Sequence, residues 1–225
     1  AGLNGVTIRG CLVISDSGGV NITGASDVLV ERSRLYSYSS FNAIVASTST
    51  KVSVTGSYLR EAPGVMTGGV YMRHTSYSTV EANAFQIGSG AITIYGISSD
   101  DNLVSSNTVY STGSATLFTV IPIIGSITGN VVTENTLLGT GLGVGMILSQ
   151  GATGNAITSN KIDNFAYAIK VIDGSANVIS GNSITSNDVA IQFVAAPPAA
   201  RVFLNNIYSN GPPQVSSTVA VELSD

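Results

Sequence analysis

The chain has 225 residues, a net charge of −4 at pH 7 and 10% charged residues, against roughly 25% in ordinary globular proteins. Its mean hydropathy of +0.35 excludes a disordered chain, which combines low hydrophobicity with high net charge. Nine Lys plus Arg and a pI near 4.8 exclude a nucleic-acid surface, which needs a basic stripe to neutralise phosphates.

Along the chain, small residue, apolar, any, apolar recurs nine times. In order the copies are Gly19-Val20-Asn21-Ile22, Ala43-Ile44-Val45-Ala46, Gly69-Val70-Tyr71-Met72, Ala91-Ile92-Thr93-Ile94 and Ala115-Thr116-Leu117-Phe118. Gly145-Met146-Ile147-Leu148, Ala168-Ile169-Lys170-Val171, Ala190-Ile191-Gln192-Phe193 and Ala220-Val221-Glu222-Leu223 complete the series. The small first residue implies a point where the chain enters a strand with no room for a larger side chain.

A second motif precedes these strands. Asn102-Leu103-Val104-Ser105-Ser106-Asn107-Thr108-Val109 recurs as Asn130-Val131-Val132-Thr133-Glu134-Asn135-Thr136-Leu137 and as Asn177-Val178-Ile179-Ser180-Gly181-Asn182-Ser183-Ile184. Aligned on its second Asn, the chain gives a column of Cys11, Ser33, Ser57, Asn83, Asn107, Asn135, Asn160, Asn182 and Asn205. Eight steps from Cys11 to Asn205 amount to about 24 residues per step, the period of a solenoid. Alternating apolar residues such as Ile157/Ile162 predict short strands with one face inward. Asn tolerates the left-handed conformation of a sharp bend, and stacked amides can bond one another across coils. The prediction is an all-β, single-stranded right-handed parallel β-helix of about nine coils with three short strands each, forming one domain over residues 1–225.

This register resembles the pectate-lyase-like right-handed β-helix proteins, over essentially the whole chain. The resemblance implies the fold and leaves function open, because that group includes polysaccharide lyases, hydrolases, epimerases, phage tailspikes and surface proteins. Its enzymes act in a groove along one sheet, with Asp/Glu clusters, Ca²⁺ and a basic residue, or with paired Asp.

The third strand of each coil is expected to flank such a groove. Its outward positions read Asn21/Thr23, Val45/Ser47, Tyr71/Arg73, Thr93/Tyr95, Leu117/Thr119, Ile147/Ser149, Lys170/Ile172, Gln192/Val194 and Glu222/Ser224. No facing carboxylates occur there, as a Ca²⁺ site or a glycoside hydrolase requires, so no metal and no cofactor is expected. Charge concentrates instead in coils two to four, in Asp27, Glu31, Arg32, Arg34, Lys51, Arg60, Glu61, Arg73 and Glu81, with His74 and the aromatics Tyr58 and Tyr71. A catalytic or sugar-binding patch is placed there, with Tyr71 or His74 transferring a proton, Arg73 or Arg60 neutralising an acidic substrate, and Glu81 or Glu61 as partner. The competing reading is a solvated run of ion pairs.

Smaller signals have structural explanations. Cys11, the single cysteine, excludes an intramolecular disulfide and is expected as a small buried bend residue. Asp100-Asp101-Asn102 reads as a capped turn. Asn21-Ile22-Thr23 matches a glycosylation sequon inside a predicted strand. No apolar run approaches the roughly 20 residues of a membrane helix. Residues 197–213, with two Pro-Pro pairs, are expected to be irregular.

Val45, Leu117, Ile147, Ile172 and Val194 point outward in this register, and an apolar stripe marks a contact surface. Neither end of the sequence reads as a cap, which solenoids need, so neighbours are expected to cover the ends. The leading functional expectation is a non-enzymatic, extracellular or virion-surface structural module, self-associating or joined to flanking domains. The alternative is a carbohydrate-active enzyme or a polysaccharide-binding, tailspike-like module with its site in coils two to four.

Overall fold

The computed structural model describes residues 4–16, 18–38, 42–61, 68–88, 90–112, 119–195, 200–212, 214–217 and 222–224. These form a parallel β-solenoid of three sheets, one of ten strands and two of nine, with no helix among the described residues. Each coil contributes one strand to the first, second and third sheets in turn, and every strand pairs in parallel with its equivalent one coil away.

Side-chain alternation fills the interior with stacked columns. The first sheet contributes Val30, Val54, Val80, Val104, Val132, Ile157 and Ile179, in register through successive pairings. The second contributes Leu35, Leu59, Phe85, Val109, Leu137, Ile162 and Ile184. All of these belong to one continuous buried core. Branched aliphatics suit this arrangement because each packs on the equivalent residue above and below.

The expected polar column runs the full length of the bend between the first and second sheets. Cys11 N donates to Ser33 Oγ, Ser33 N to Ser57 Oγ, and Ser57 N to Asn83 Oδ1. From there each Asn donates its backbone N–H and its side-chain Nδ2 to Oδ1 of the next, from Asn83 through Asn107, Asn135, Asn160 and Asn182 to Asn205. A second ladder of Ser78, Asn102, Asn130, Asn155 and Asn177 marks the bend from the third sheet into the first. A short third one, Phe165 N to Asn187 and Asn187 to Asn210, lies between the second and third sheets.

The ladder residues are not the left-handed ones. Positive φ falls on the residue before each, at Gly10, Arg32, Gly56, Ala82, Ser106, Glu134, Ser159, Gly181 and Leu204. That residue makes the kink, and the Asn after it turns its amide inward to hold the coils in register. Cys11 is exposed rather than buried: it heads its ladder, bonded through its N–H only to the coil that follows.

The small-residue column behaves as expected at Gly69, where an added Cβ would meet the Ala91 carbonyl oxygen and lie 2.7 Å from Phe85 Cε1. Two copies of the motif are displaced. The fifth strand of the third sheet is Thr119–Ile124, aligned by Ile94 with Ile123 and Tyr95 with Ile124, and the predicted copy 115–118 lies outside the described residues. The ninth is Val215–Ser217, whereas Glu222–Ser224 pairs with Arg201–Phe203 in the first sheet. Of the stretch 197–213, residues 197–199 and 213 lie outside the described residues; the rest is more regular than expected, since Arg201–Phe203 and Asn206–Tyr208 are ordinary sheet strands.

Candidate functional site

Within one coil, successive strands face different directions, so residues close in sequence separate onto different sheets. The charged run of coils two to four is distributed in this way around the solenoid. Glu31 pairs with Arg9 on the first sheet, and Lys51 Nζ lies 3.8 Å from Asp27 Oδ1 at a bend. Glu81 is exposed on the first sheet, between Thr55 and Ser105. Arg60 is exposed on the second sheet, between Tyr36 and Gln86. Glu61 turns to the buried side, where it accepts a 2.5 Å hydrogen bond from Thr112 Oγ1. Neither Arg60 nor Glu81 shares a face with Tyr71.

Tyr71 and Arg73 do share one. Both project outward from the strand Val70–Arg73 of the third sheet, in register with Thr93 and Tyr95 of the next coil. The two tyrosines sit on the diagonal of this two-by-two array. Their rings stack with centroids 6.1 Å apart and 26° between planes, within the range of favourable offset stacking. Arg73 occupies the corner beside both rings, exposed and without an ion pair among the described residues. Partial burial raises the Tyr71 pKa above its ordinary value; the Arg73 charge works against this and the Tyr95 hydroxyl adds to it. The phenol is therefore neutral, a hydrogen-bond donor and acceptor, at physiological pH.

His74 begins the bend after this strand in a left-handed conformation, φ 49°. Its Nδ1 lies 2.6 Å from the Ile97 carbonyl oxygen. A carbonyl only accepts, so Nδ1 carries the proton and Nε2 remains available. Tyr95 completes the platform, although it carries no charge or motif to single it out. The signal for it was register: it stands outward one coil after Arg73.

Around the platform the outward face of the third sheet is uncharged or cationic. Among the described residues it carries Ser47, Thr93, Ile147, Lys170 and Gln192, and no carboxylate. Val45, Ile147 and Ile172 are half-buried and Val194 is exposed, as the register predicted. They form no continuous stripe, because Tyr71 and Thr93 interrupt the column; Leu117 lies outside the described residues. Asp100 caps the N–H of Thr128 at 2.7 Å, so the Asp100-Asp101-Asn102 segment is a structural turn, as expected.

A family model described as a right-handed beta helix region matches residues 1–162. No curated protein matches in sequence. Among solved structures, the tailspike protein of E. coli bacteriophage HK620, in complex with a pentasaccharide, superposes with a TM-score of 0.71 at 13% identity, over 97% of this chain and 47% of that one. PfbA, a surface adhesin of Streptococcus pneumoniae, gives 0.59 at 15% identity, over 90% and 60%. The catalytic domain of a GH87 α-1,3-glucanase, in complex with nigerose, gives 0.59 at 16%, over 88% and 41%. The chain thus spans between 41% and 60% of these solved chains, and at such identities the likeness is one of fold. With the family model covering most of its length, the chain belongs to the right-handed β-helix family.

Proposed function

We propose that this chain is the β-helical part of an extracellular or virion-surface protein, and that it binds polysaccharide through the third-sheet face of its third and fourth coils. The observation that carries this reading is the stacked Tyr71–Tyr95 pair with Arg73 in register beside it. A pyranose ring offers an apolar C–H face and a rim of hydroxyls. Two neighbouring phenols, with 26° between their planes, supply a matching apolar surface with polar edges, and Arg73 supplies several N–H donors in fixed geometry. The fold neighbours described as bound to a pentasaccharide or to nigerose, or as a surface adhesin, support the same class of role. Binding without cleavage fits a face whose described residues include no carboxylate, since glycoside hydrolysis ordinarily takes two.

Screening the protein on an array of neutral and acidic glycans tests this reading. Wild type is expected to select a subset of polysaccharides, and the double variant Tyr71→Ala/Tyr95→Ala to bind them at least tenfold more weakly. An aromatic-ring contact is worth about 0.5–1.5 kcal/mol beyond its area burial, so removing two rings accounts for a loss of that size. A wild type that binds nothing, or a double variant that binds equally well, contradicts it.

A further inference from the structure

The second sheet carries another tyrosine–arginine array, on a different face from the platform of the third sheet. Arg34 stands in register with Tyr58, and Tyr36 with Arg60. All four project outward, the arginines exposed and the tyrosines half-buried. The tyrosines again take one diagonal, here edge to face with centroids 6.2 Å apart and 74° between planes. Tyr58 OH donates to Gln86 Oε1 on the next coil at 2.9 Å, which ties its ring to the neighbouring strand.

The two arginines take the other diagonal. With strands about 4.8 Å apart and two residues advancing about 6.7 Å, their Cα atoms lie about 8 Å apart. Neither makes an ion pair among the described residues, and neither does Arg32 at the adjoining bend. From Leu12 to Leu138 no outward position on this sheet is acidic; Asp163 is the first. Glu61, next to Arg60, is buried on the opposite side. A protein of net charge −4 therefore leaves one rigid patch of unneutralised guanidinium groups, separated by aromatic rings.

We propose that this second-sheet patch is a binding site for an acidic polysaccharide, one bearing carboxylates on its sugar rings. Planar guanidinium groups match carboxylates bidentately, and the tyrosine rings take the apolar faces of the sugars that bear them. A site made of stacked tyrosines and one arginine, as on the third sheet, suits sugars of low charge. Two arginines in a diagonal array select for a repeating anion. Nucleic acid is the less favoured polyanion, because it requires a basic stripe along its backbone and the surface around this patch is not basic.

The patch and the third-sheet site are tested separately by affinity electrophoresis through polygalacturonate, with dextran as the neutral polymer. Wild type is expected to be retarded by polygalacturonate at low salt and released as ionic strength rises. The variant Arg34→Gln/Arg60→Gln loses at least tenfold in affinity, and Tyr71→Ala/Tyr95→Ala keeps it. Arg60→Lys, which preserves charge but not the planar fork, is intermediate. Retention by the double arginine variant, equal retardation in dextran, or loss of binding in the third-sheet variant overturns the proposal. So does tighter binding of an oligothymidylate than of polygalacturonate, which identifies a nucleic-acid surface instead. Because the two double variants lie on different sheets, failure of this proposal and failure of the third-sheet reading give different patterns.

Discussion

Asn135 shows how a single amide holds three coils together. Its Oδ1 accepts from both the backbone N–H and Nδ2 of Asn107. Its own Nδ2 lies 2.9–3.0 Å from three acceptors, Val104 O, Thr133 O and Asn160 Oδ1, so that its two N–H groups are both engaged and one is shared. With 1% of its surface exposed, no water replaces these partners if the side chain is removed. Asn135→Ala is accordingly expected to destabilise the protein by about 3 kcal/mol, from several buried polar groups left unpaired. Urea unfolding monitored by circular dichroism measures this, and a loss below about 0.5 kcal/mol contradicts the ladder's role. Intrinsic propensity points to Asn as the left-handed residue of the bend, yet Arg32, Ala82, Glu134 and Leu204 take that conformation with ordinary side chains. Once the following amide is locked into its ladder, tertiary bonding outweighs the roughly 1–2 kcal/mol preference against left-handed backbone. Local propensity contains no information about that bond.

At the scale of the strand, the sequence was legible wherever two signals coincided. Period-two alternation together with the Asn column located the first two strands of every coil from Leu103–Ser105 to Ser183–Thr185. The third strands rested on a weaker signal, small-apolar-any-apolar, which many inward-facing strands satisfy. Residues 220–223 satisfy it too, yet Glu222–Ser224 belongs to a further coil on the first sheet. The fifth copy shows the same weakness: the motif equates Ile94 with Phe118, whereas Ile94 and Tyr95 align with Ile123 and Ile124, five residues further on. Where the small residue does mark strand entry, space is its cause. Gly69 has no room for a methyl group beside Ala91 and Phe85, and its φ is not in the left-handed region. Gly69→Ala is expected to cost about 1–3 kcal/mol through backbone displacement, although alanine is the better strand former. Thermal unfolding decides between them: a lowered midpoint follows from steric conflict, a raised one from propensity.

For the molecule as a whole, solenoid geometry determines which residues can cooperate. Side chains meet when they are one period apart and share a sheet, as Tyr71 and Tyr95 do and as Tyr36 and Tyr58 do. Residues a dozen apart, such as Arg60 and Tyr71, face different directions. The crowding of charge in coils two to four was visible in the sequence, but its arrangement into separate faces depends on the register of every strand between. Tyr71 and Arg73 emerged from the sequence as candidates because they are conspicuous; Tyr95 and Arg34 acquire meaning only from their neighbours on the sheet. The result is a rigid, charge-poor rod with two tyrosine–arginine arrays on adjoining faces.

The most direct test of glycan recognition by the third sheet is a crystal structure with the tightest-binding neutral oligosaccharide from the array. The account predicts a sugar ring lying over Tyr71 and Tyr95, with hydroxyls within hydrogen-bond reach of Arg73. An oligosaccharide bound on another face, with this platform bare, contradicts it.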